Sequence, residues 1–214
     1  MKKLVIFDLD GTLLNTIKDL AVSTNYALEM NHFPTHEAEA YNFFVGNGIY
    51  KQIERALPEN DRTIENIEKV RLKFIEYYNK HNADFSVPYA GIQEMLERLQ
   101  EKGVKLAVAS NKYQAGTESL MAHFFPSIHF CAVLGQREGV ATKPDPTIVH
   151  EIMEIAQVSK EDTLYIGDSH VDMQTAINSD VDACGVRWGF RPSTIEPFHP
   201  KFVANVPMDI VDFV

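Results

Sequence analysis

The chain has 214 residues, of which 45% are hydrophobic and 23% charged, a composition typical of a globular protein with a sizeable core. Its formal net charge of -10 argues against a nucleic-acid or anionic-membrane partner, since either would need a basic face. The two cysteines, Cys131 and Cys184, lack zinc-site spacing and are expected to be buried, reduced thiols. No apolar run reaches the length of a signal core or a membrane span, so we expect a cytosolic protein.

The first segment of the chain predicts a buried strand that ends in two acids. Residues Leu4 to Phe7 are continuously apolar, as is typical of a parallel strand covered on both faces. Asp8 and Asp10 follow, and Gly11 allows backbone amides to approach an anion. The two carboxylates repel each other unless a cation or a proton separates them. An Asp-Gly hairpin turn would use the same residues, so the later motifs decide between the two interpretations.

A helical block follows this strand. Apolar residues at three- and four-residue spacing predict helices over residues 15–31, 36–44, 49–57 and 64 to about 80, with no strand between residues 15 and 82. A turn is predicted at Gly46, Asn47 and Gly48, where glycine brings the backbone close to a ligand. We therefore interpret residues 15–82 as an insertion after the first strand.

From residue 87 onward the pattern alternates between helices and strands. Strands are predicted at residues 105–109, 130–134, 163–166 and 183–186, and helices at 92–99, 117–125, 146–156 and 171–178. The tail after them is expected to be irregular, apart from a short C-terminal helix. This alternation predicts an α/β fold with a doubly wound parallel sheet.

Polar side chains recur where the predicted core strands end. Parallel strands place their carboxyl ends at one edge of the sheet, so these side chains are expected to converge on one crevice. They are Asp8 and Asp10, Ser110 and Asn111, Lys143 after a loop, and Asp168 with Asp172 one helical turn further on. Each has an ordinary explanation when it is taken alone, such as a helix cap, a helix-start charge or a solvated lysine. Their joint order is what indicates a functional site.

The convergent set suits phosphoryl transfer. Asp8 can attack phosphorus and form an aspartyl-phosphate, while Asp10 can protonate the leaving alkoxide and then activate water. Ser110 and the amides near Gly11 can hydrogen-bond phosphoryl oxygens, and Lys143 can neutralise their charge.

A magnesium site is predicted within the same set. Asp8 and Asp168, with a backbone carbonyl near Asp10 and with Asp172 close by, supply the oxygen ligands that Mg²⁺ prefers.

Four motifs carry a resemblance to the haloacid dehalogenase superfamily, and more closely to its phosphoglycolate phosphatase-type members. They are Asp8-Leu9-Asp10-Gly11-Thr12-Leu13, Ser110-Asn111-Lys112, Lys143-Pro144-Asp145-Pro146 and Gly167-Asp168-Ser169-His170-Val171-Asp172-Met173. The resemblance implies a Rossmann-like core of residues 1–14 and 83–214 and an α-helical cap of the C1 type over residues 15–82. It also implies a Mg²⁺-dependent phosphatase of small phosphorylated metabolites; whether the chain is a monomer or a homodimer stays open.

Two further segments bear on the substrate. Residues 45–48 and 185–191 resemble phosphoglycolate phosphatases, which makes 2-phosphoglycolate the leading candidate. In the cap, Gly46, Asn47 and Gly48 are expected to face the leaving group, and Gly11 and Asn111 of the core are expected to bind the substrate. Arg55 is a candidate contact for a substrate carboxylate. Asn15 and Thr16 stand where these families usually carry Asp and Ser, a departure that bears on the positioning of the cap.

Other activities share parts of this pattern. A phosphosugar mutase of the β-phosphoglucomutase type has the same core, and isomerisation against phosphate release would separate the two. A haloacid dehalogenase would leave Asp10 without a role, and a phosphonoacetaldehyde hydrolase would need a Schiff-base lysine, whereas Lys18 and Lys51 lie in no recognised motif. A binding protein without turnover would be expected to have lost one of the core acids or the lysine, and all are present.

Overall fold

The computed structural model describes residues 1–214 and is built around a parallel six-stranded sheet. The strands are β1 (Leu4–Phe7), β2 (Leu14–Asn15), β3 (Val87–Pro88), β4 (Lys105–Tyr113), β5 (Phe130–Gln136), β6 (Thr163–Gly167), β7 (Asp182–Val186) and β8 (Phe202–Ala204). The main sheet has the order β5-β4-β1-β6-β7-β8, and β2 pairs with β3 in a separate antiparallel ribbon.

Helices cover both faces of this sheet and form a separate block after β2. They are α1 (Ile17–Met30), α2 (Tyr41–Phe44), α3 (Gly48–Ala56), α4 (Ile64–His81), α5 (Ile92–Glu101), α6 (Gln114–Phe124), α7 (Thr147–Ala156), α8 (His170–Asn178) and α9 (Asp209–Asp212). None of them combines the length and the apolar character that crossing a bilayer requires.

Strand β1 lies between β4 and β6, and its side chains are buried on both faces of the sheet. Val5 and Phe7 belong to one hydrophobic cluster, which includes residues of α5 and α6. Leu4 and Ile6 belong to a second cluster, which includes residues of α7 and Ala176 of α8. Helices on both faces of a parallel sheet are the doubly wound arrangement, so the predicted α/β, Rossmann-like fold class is confirmed.

The helical block, residues 17–81, has a hydrophobic cluster of its own. Helix α1 packs along α4, and Leu28, Ile53 and Phe74 are among the buried residues of this cluster. A buried carboxylate ties the beginning of the block to the segment that returns from it: Asp19 accepts hydrogen bonds from the Ser86 amide at 2.7 Å and the Ser86 hydroxyl at 2.6 Å. The division into domains at residues 15 and 82 stays a prediction.

Three predicted elements differ from the structure. The helix expected over residues 36–44 is a 3-10 turn followed by the short α2, because the Asn25 side-chain amide bonds both backbone groups of His36. The segment predicted to contain no strand begins with Asn15 in β2, paired with Val87. Strand β4 continues through the polar residues to Tyr113, so these residues lie inside the strand rather than after it.

The tail and the cysteines also differ in detail. Strand β8 was not predicted, because three residues are too few to show a period, and it joins the sheet only through β7. The short C-terminal helix is present as α9. Both cysteines are free; Cys184 is buried, and burial raises the pKa of its thiol to about 12. Cys131 is only half-buried, contrary to the expectation.

Candidate active site

A cavity lies between the carboxyl ends of β1, β4 and β6 and the helical block, with an empty volume of about 590 Å³ including the solvent at its mouth. Most of the predicted site residues line this cavity. These are Asp8, Asp10, Ser110, Asn111, Lys143, Asp168 and Asp172 of the sheet side and Gly46 and Gly48 of the helical block. Gly11, Asn47 and Arg55 lie outside its lining. The topology therefore brings together the residues that follow different strands.

Three buried carboxylates and one lysine form the centre of the site. The Lys143 ammonium lies 2.7 Å from Asp8 Oδ1 and 2.9 Å from Asp172 Oδ1, and it also donates to the Tyr165 hydroxyl at 2.9 Å. Carboxylate oxygens of Asp8, Asp168 and Asp172 all lie within 4.8 Å of one another. One lysine facing three carboxylates leaves two negative charges, which a single divalent cation would balance.

The protonation equilibria of this cluster reflect its crowding. Burial, together with the charges of Asp172 and Asp168, raises the pKa of Asp8 to about 8, although Lys143 opposes the shift. Burial and the charge of Asp172 likewise raise the pKa of Asp168 to about 7. Burial alone would lower the pKa of Lys143, but the two neighbouring carboxylates raise it well above its usual value. These carboxylates are thus destabilised as anions unless a cation joins them, and their oxygen chemistry fits Mg²⁺.

Backbone groups position the two acids that come from β6 and α8. Asp168 Oδ2 accepts hydrogen bonds from the Phe190 amide at 2.7 Å and the Arg191 amide at 3.3 Å. Gly11 makes room for this carboxylate: its φ is +93°, and a Cβ there would lie 2.6 Å from Asp168 Oδ2. Asp172 forms a capping box with Ser169 at the beginning of α8, so the same side chain caps a helix and faces the cluster.

Asp10 lies apart from the three-carboxylate cluster and has partners of its own. Its Oδ1 accepts from the Thr16 hydroxyl at 2.5 Å and lies 3.1 Å from the Lys112 ammonium, while Oδ2 has no protein partner. Lys112 in turn donates to the Tyr78 hydroxyl of α4 at 3.0 Å. The hydroxyl of Thr16 therefore helps to position the Asp10 carboxylate. Lys112 stands in one of the recognised motifs, but sequence reasoning gave it no role.

Asn111 connects three parts of the site through its side-chain amide. Its Nδ2 donates to the Gly46 carbonyl at 3.0 Å and to the Lys143 carbonyl at 3.1 Å, and its Oδ1 accepts from the Lys143 amide at 2.9 Å. Asn111 therefore holds the loop that carries the buried lysine and also contacts the helical block. The neighbouring Ser110 is buried, and its hydroxyl accepts from the Lys112 amide at 3.1 Å.

The residues predicted to face the leaving group have mixed positions. Arg55 donates to the Phe44 carbonyl at 2.9 Å and to Asn47 Oδ1 at 2.8 Å, so these two predicted contacts are engaged with each other and lie outside the cavity lining. Arg191 does line the cavity and was not predicted. In the sequence, Arg191 was marked only as the last residue of the segment 185–191, which resembles phosphoglycolate phosphatases.

Comparisons with known proteins find relatives that match most of the chain. The family model of haloacid dehalogenase-like hydrolases matches residues 5–186. A phosphoglycolate phosphatase of Mesorhizobium japonicum is 31% identical over 206 residues, which are 95% of this chain and 91% of that protein. A phosphoglycolate phosphatase of Vibrio parahaemolyticus is 30% identical over 218 residues, with 99% and 96% covered.

Solved structures show the same arrangement of the whole chain. The crystal structure of a predicted phosphoglycolate phosphatase from Haemophilus somnus superposes with a TM-score of 0.92 at 26% identity, covering 99% of this chain and 97% of that one. The resemblance found in the motifs is therefore confirmed, and with it the expectation of an enzyme of the phosphatase type. The chain belongs to the haloacid dehalogenase-like hydrolase family.

Proposed function

We propose that this enzyme is a Mg²⁺-dependent phosphatase of small phosphomonoesters, with 2-phosphoglycolate as the leading substrate, and that residues 17–81 act as its cap. The observation that carries the proposal is the separation of two kinds of carboxylate in one cavity. Asp8 lies in the cluster around Lys143, whereas Asp10 has separate partners and a free oxygen. A nucleophile and a proton carrier need this difference, because only one of them has to share a cation.

In the first half of the reaction, an Asp8 carboxylate oxygen attacks phosphorus. The bond between phosphorus and the alcohol oxygen breaks, and the alkoxide takes a proton from Asp10. The products of this half are the aspartyl-phosphate and the free alcohol. Lys143, 2.7 Å from Asp8, neutralises charge on the phosphoryl oxygens, and Ser110 lines the same space.

In the second half, the ionised Asp10 removes a proton from water as the water oxygen attacks phosphorus. The bond between the acyl oxygen of Asp8 and phosphorus breaks, which releases inorganic phosphate, restores Asp8 as a carboxylate and leaves Asp10 protonated for the next cycle. Thr16 and Lys112, which both contact Oδ1 of Asp10, hold the carboxylate in place while Oδ2 carries the proton.

Asp8, Asp168 and Asp172 would hold the metal ion, since their oxygens lie within 4.8 Å of one another. When bound, the ion would offset the negative charge of these carboxylates and of the substrate phosphoryl group. The amides of Phe190 and Arg191 keep Asp168 in position for this task.

The test measures phosphate release from a panel of small phosphomonoesters, with and without about 5 mM Mg²⁺, a level that fills weak oxygen-ligand sites. Asp8→Asn is the inactive variant, and Asp212→Asn, an exposed acid of α9, is its matched control. We expect a preference for 2-phosphoglycolate that requires Mg²⁺ and disappears in Asp8→Asn only. Retained activity in Asp8→Asn would refute the mechanism. Interconversion of sugar phosphates without phosphate release would identify a mutase instead.

A further inference from the structure

Arg191 is the cationic residue of the cavity whose side chain forms no ion pair. Lys143 is paired with Asp8 and Asp172, and Lys112 is paired with Asp10. The hydrogen bonds of Arg191 are made by its backbone: its amide donates to Asp168 at 3.3 Å, and its carbonyl accepts from the Thr194 hydroxyl at 2.8 Å. Its guanidinium, with five N–H donors, lines the cavity without a hydrogen bond or an ion pair to protein.

The guanidinium lies where the helical block meets the strand ends. A Cβ at Gly46 would be 2.1 Å from Arg191 Nη2, so the side chain occupies the space that the missing Cβ of Gly46 leaves free. The carbonyl of the same glycine accepts a hydrogen bond from Asn111. The backbone amide of Arg191 therefore holds this residue beside Asp168 at the strand ends, where the phosphoryl group is proposed to bind. Its side chain extends toward the side of the cavity that the helical block covers.

The charge of Arg191 acts on the titratable groups around it: it opposes the rise in the pKa of Asp168, although the two side chains form no ion pair. After burial, the charge of Arg191 is the largest influence that lowers the pKa of Arg55 and the pKa of His170. Arg55 is itself a cation, hydrogen-bonded to the Phe44 carbonyl and to Asn47, so it cannot neutralise its neighbour. Asp168 belongs to the three-carboxylate cluster and no carboxylate is paired with the guanidinium, so an anionic group of a ligand can supply the counter-charge at this corner.

We propose that Arg191 binds a carboxylate on the alcohol part of the substrate, which makes the enzyme selective for phosphomonoesters of hydroxy acids. This inference rests on the proposed phosphatase function and assigns the residue that selects its substrate. A guanidinium presents paired N–H donors in one plane, which match the two oxygens of a carboxylate. The phosphoryl group is bound at the strand ends, and a short hydroxy acid places its carboxylate on the side that the helical block covers.

The kinetic test compares 2-phosphoglycolate with 2-hydroxyethyl phosphate, which has the same chain length and no carboxylate. Arg191→Gln is expected to lower kcat/KM for 2-phosphoglycolate by about 10- to 100-fold, mainly through KM, and to change it less than about 3-fold for the neutral ester. Arg191→Lys should restore part of the loss, because it keeps the charge without the planar fork. Arg187→Gln is the control, since Arg187 is exposed and lies in the same loop. Equal losses on both substrates would overturn the proposal.

A binding experiment separates this proposal from the phosphatase function. With Mg²⁺ present, calorimetry compares 3-phosphonopropionate, in which a methylene replaces the ester oxygen, with propylphosphonate, which lacks the carboxylate. We expect the wild-type protein to bind the carboxylate compound about tenfold or more tightly, and Arg191→Gln to bind both alike. A wild-type protein that hydrolyses no phosphomonoester but keeps this difference would refute the function alone. An unchanged preference in Arg191→Gln would refute the role of Arg191 alone.

Discussion

The two walls of the cavity contribute different groups. The sheet side supplies charged residues, and most of these are paired with each other, as Lys143 is with Asp8 and Asp172. The helical block supplies apolar side chains such as Val45 and Phe74 and a backbone turn at Gly46. The proposed chemistry therefore depends on side chains whose positions follow from sheet topology, whereas selectivity depends on how a turn and a loop fit together.

Removing the proton carrier on the sheet side is expected to have the largest effect on turnover. Asp10→Asn should lower kcat by about 10²- to 10⁴-fold, because general acid-base catalysis is lost while Asp8 and Lys143 keep their contact. Phosphate release measures the rate, and binding of 3-phosphonopropionate should change little. The exposed Asp212→Asn variant should behave like the wild type. A loss smaller than about fivefold would show that another group carries the proton.

Metal binding by the carboxylates of the sheet side should change the free energy of unfolding. Folding raises the pKa of Asp8 to about 8 and of Asp168 to about 7, above the ordinary value of about 4. The folded state then binds more protons than the unfolded state between these values, so the metal-free protein should lose stability as pH rises from about 5 to 8. Mg²⁺ at about 100 times its Kd should add about 2.7 kcal/mol, and more at pH 8 than at pH 5.5, where protons compete with it.

Thermal unfolding in EDTA and in Mg²⁺, at both pH values, measures this difference. Asp168→Asn removes one of the crowded carboxylates, so it should raise the stability of the metal-free protein at pH 8 and weaken the response to Mg²⁺. An equal response to Mg²⁺ in Asp168→Asn and in the wild type would mean that the ion binds elsewhere.

The two walls also differ in how far the sequence predicts them. Asp8 and Asp168 each follow an apolar strand, and parallel strands end at one edge, so local patterns were enough to place them together. The positions of Lys112 and Arg191 could not be predicted in this way, because they depend on contacts with Tyr78 and Gly46 of the helical block. No local pattern encodes the packing of one region against another.

The local structure around α2 likewise depends on a contact with a distant part of the chain. Residues 36–44 have the composition of a helix, but a side chain from α1, Asn25, bonds the backbone of His36 and prevents regular winding there. Strand β8 is stabilised by its neighbour β7 rather than by a pattern of its own. In both cases a distant partner decides the local structure.

The fit between the walls is tested by adding one methyl group at Gly46. Gly46→Ala places a Cβ 2.1 Å from Arg191 Nη2, at a φ of +112°. Gly139→Ala is the matched control, because Gly139 also has a positive φ, +74°, but no atom within 4 Å of the new Cβ. Both variants should lose about 1–2 kcal/mol of stability through backbone strain. Only Gly46→Ala should lower kcat/KM for 2-phosphoglycolate, by about tenfold, because it displaces the guanidinium. Similar kinetics in the two variants would show that this contact does not affect selectivity.

The smallest effect is expected at Arg55, where the sequence suggested a substrate contact and the side chain is hydrogen-bonded to groups of the helical block. Arg55→Gln removes hydrogen bonds to the Phe44 carbonyl and to Asn47, which should cost about 1–2 kcal/mol of stability, while KM changes less than about 3-fold. Lys51→Gln, on the same helix and largely exposed, is the control and should change neither quantity. Thermal unfolding and steady-state kinetics together distinguish a structural role of Arg55 from a contact with the substrate. A KM raised about tenfold with unchanged stability would mean that Arg55 leaves these carbonyls to meet the substrate, and that the helical block contributes a charge to recognition after all.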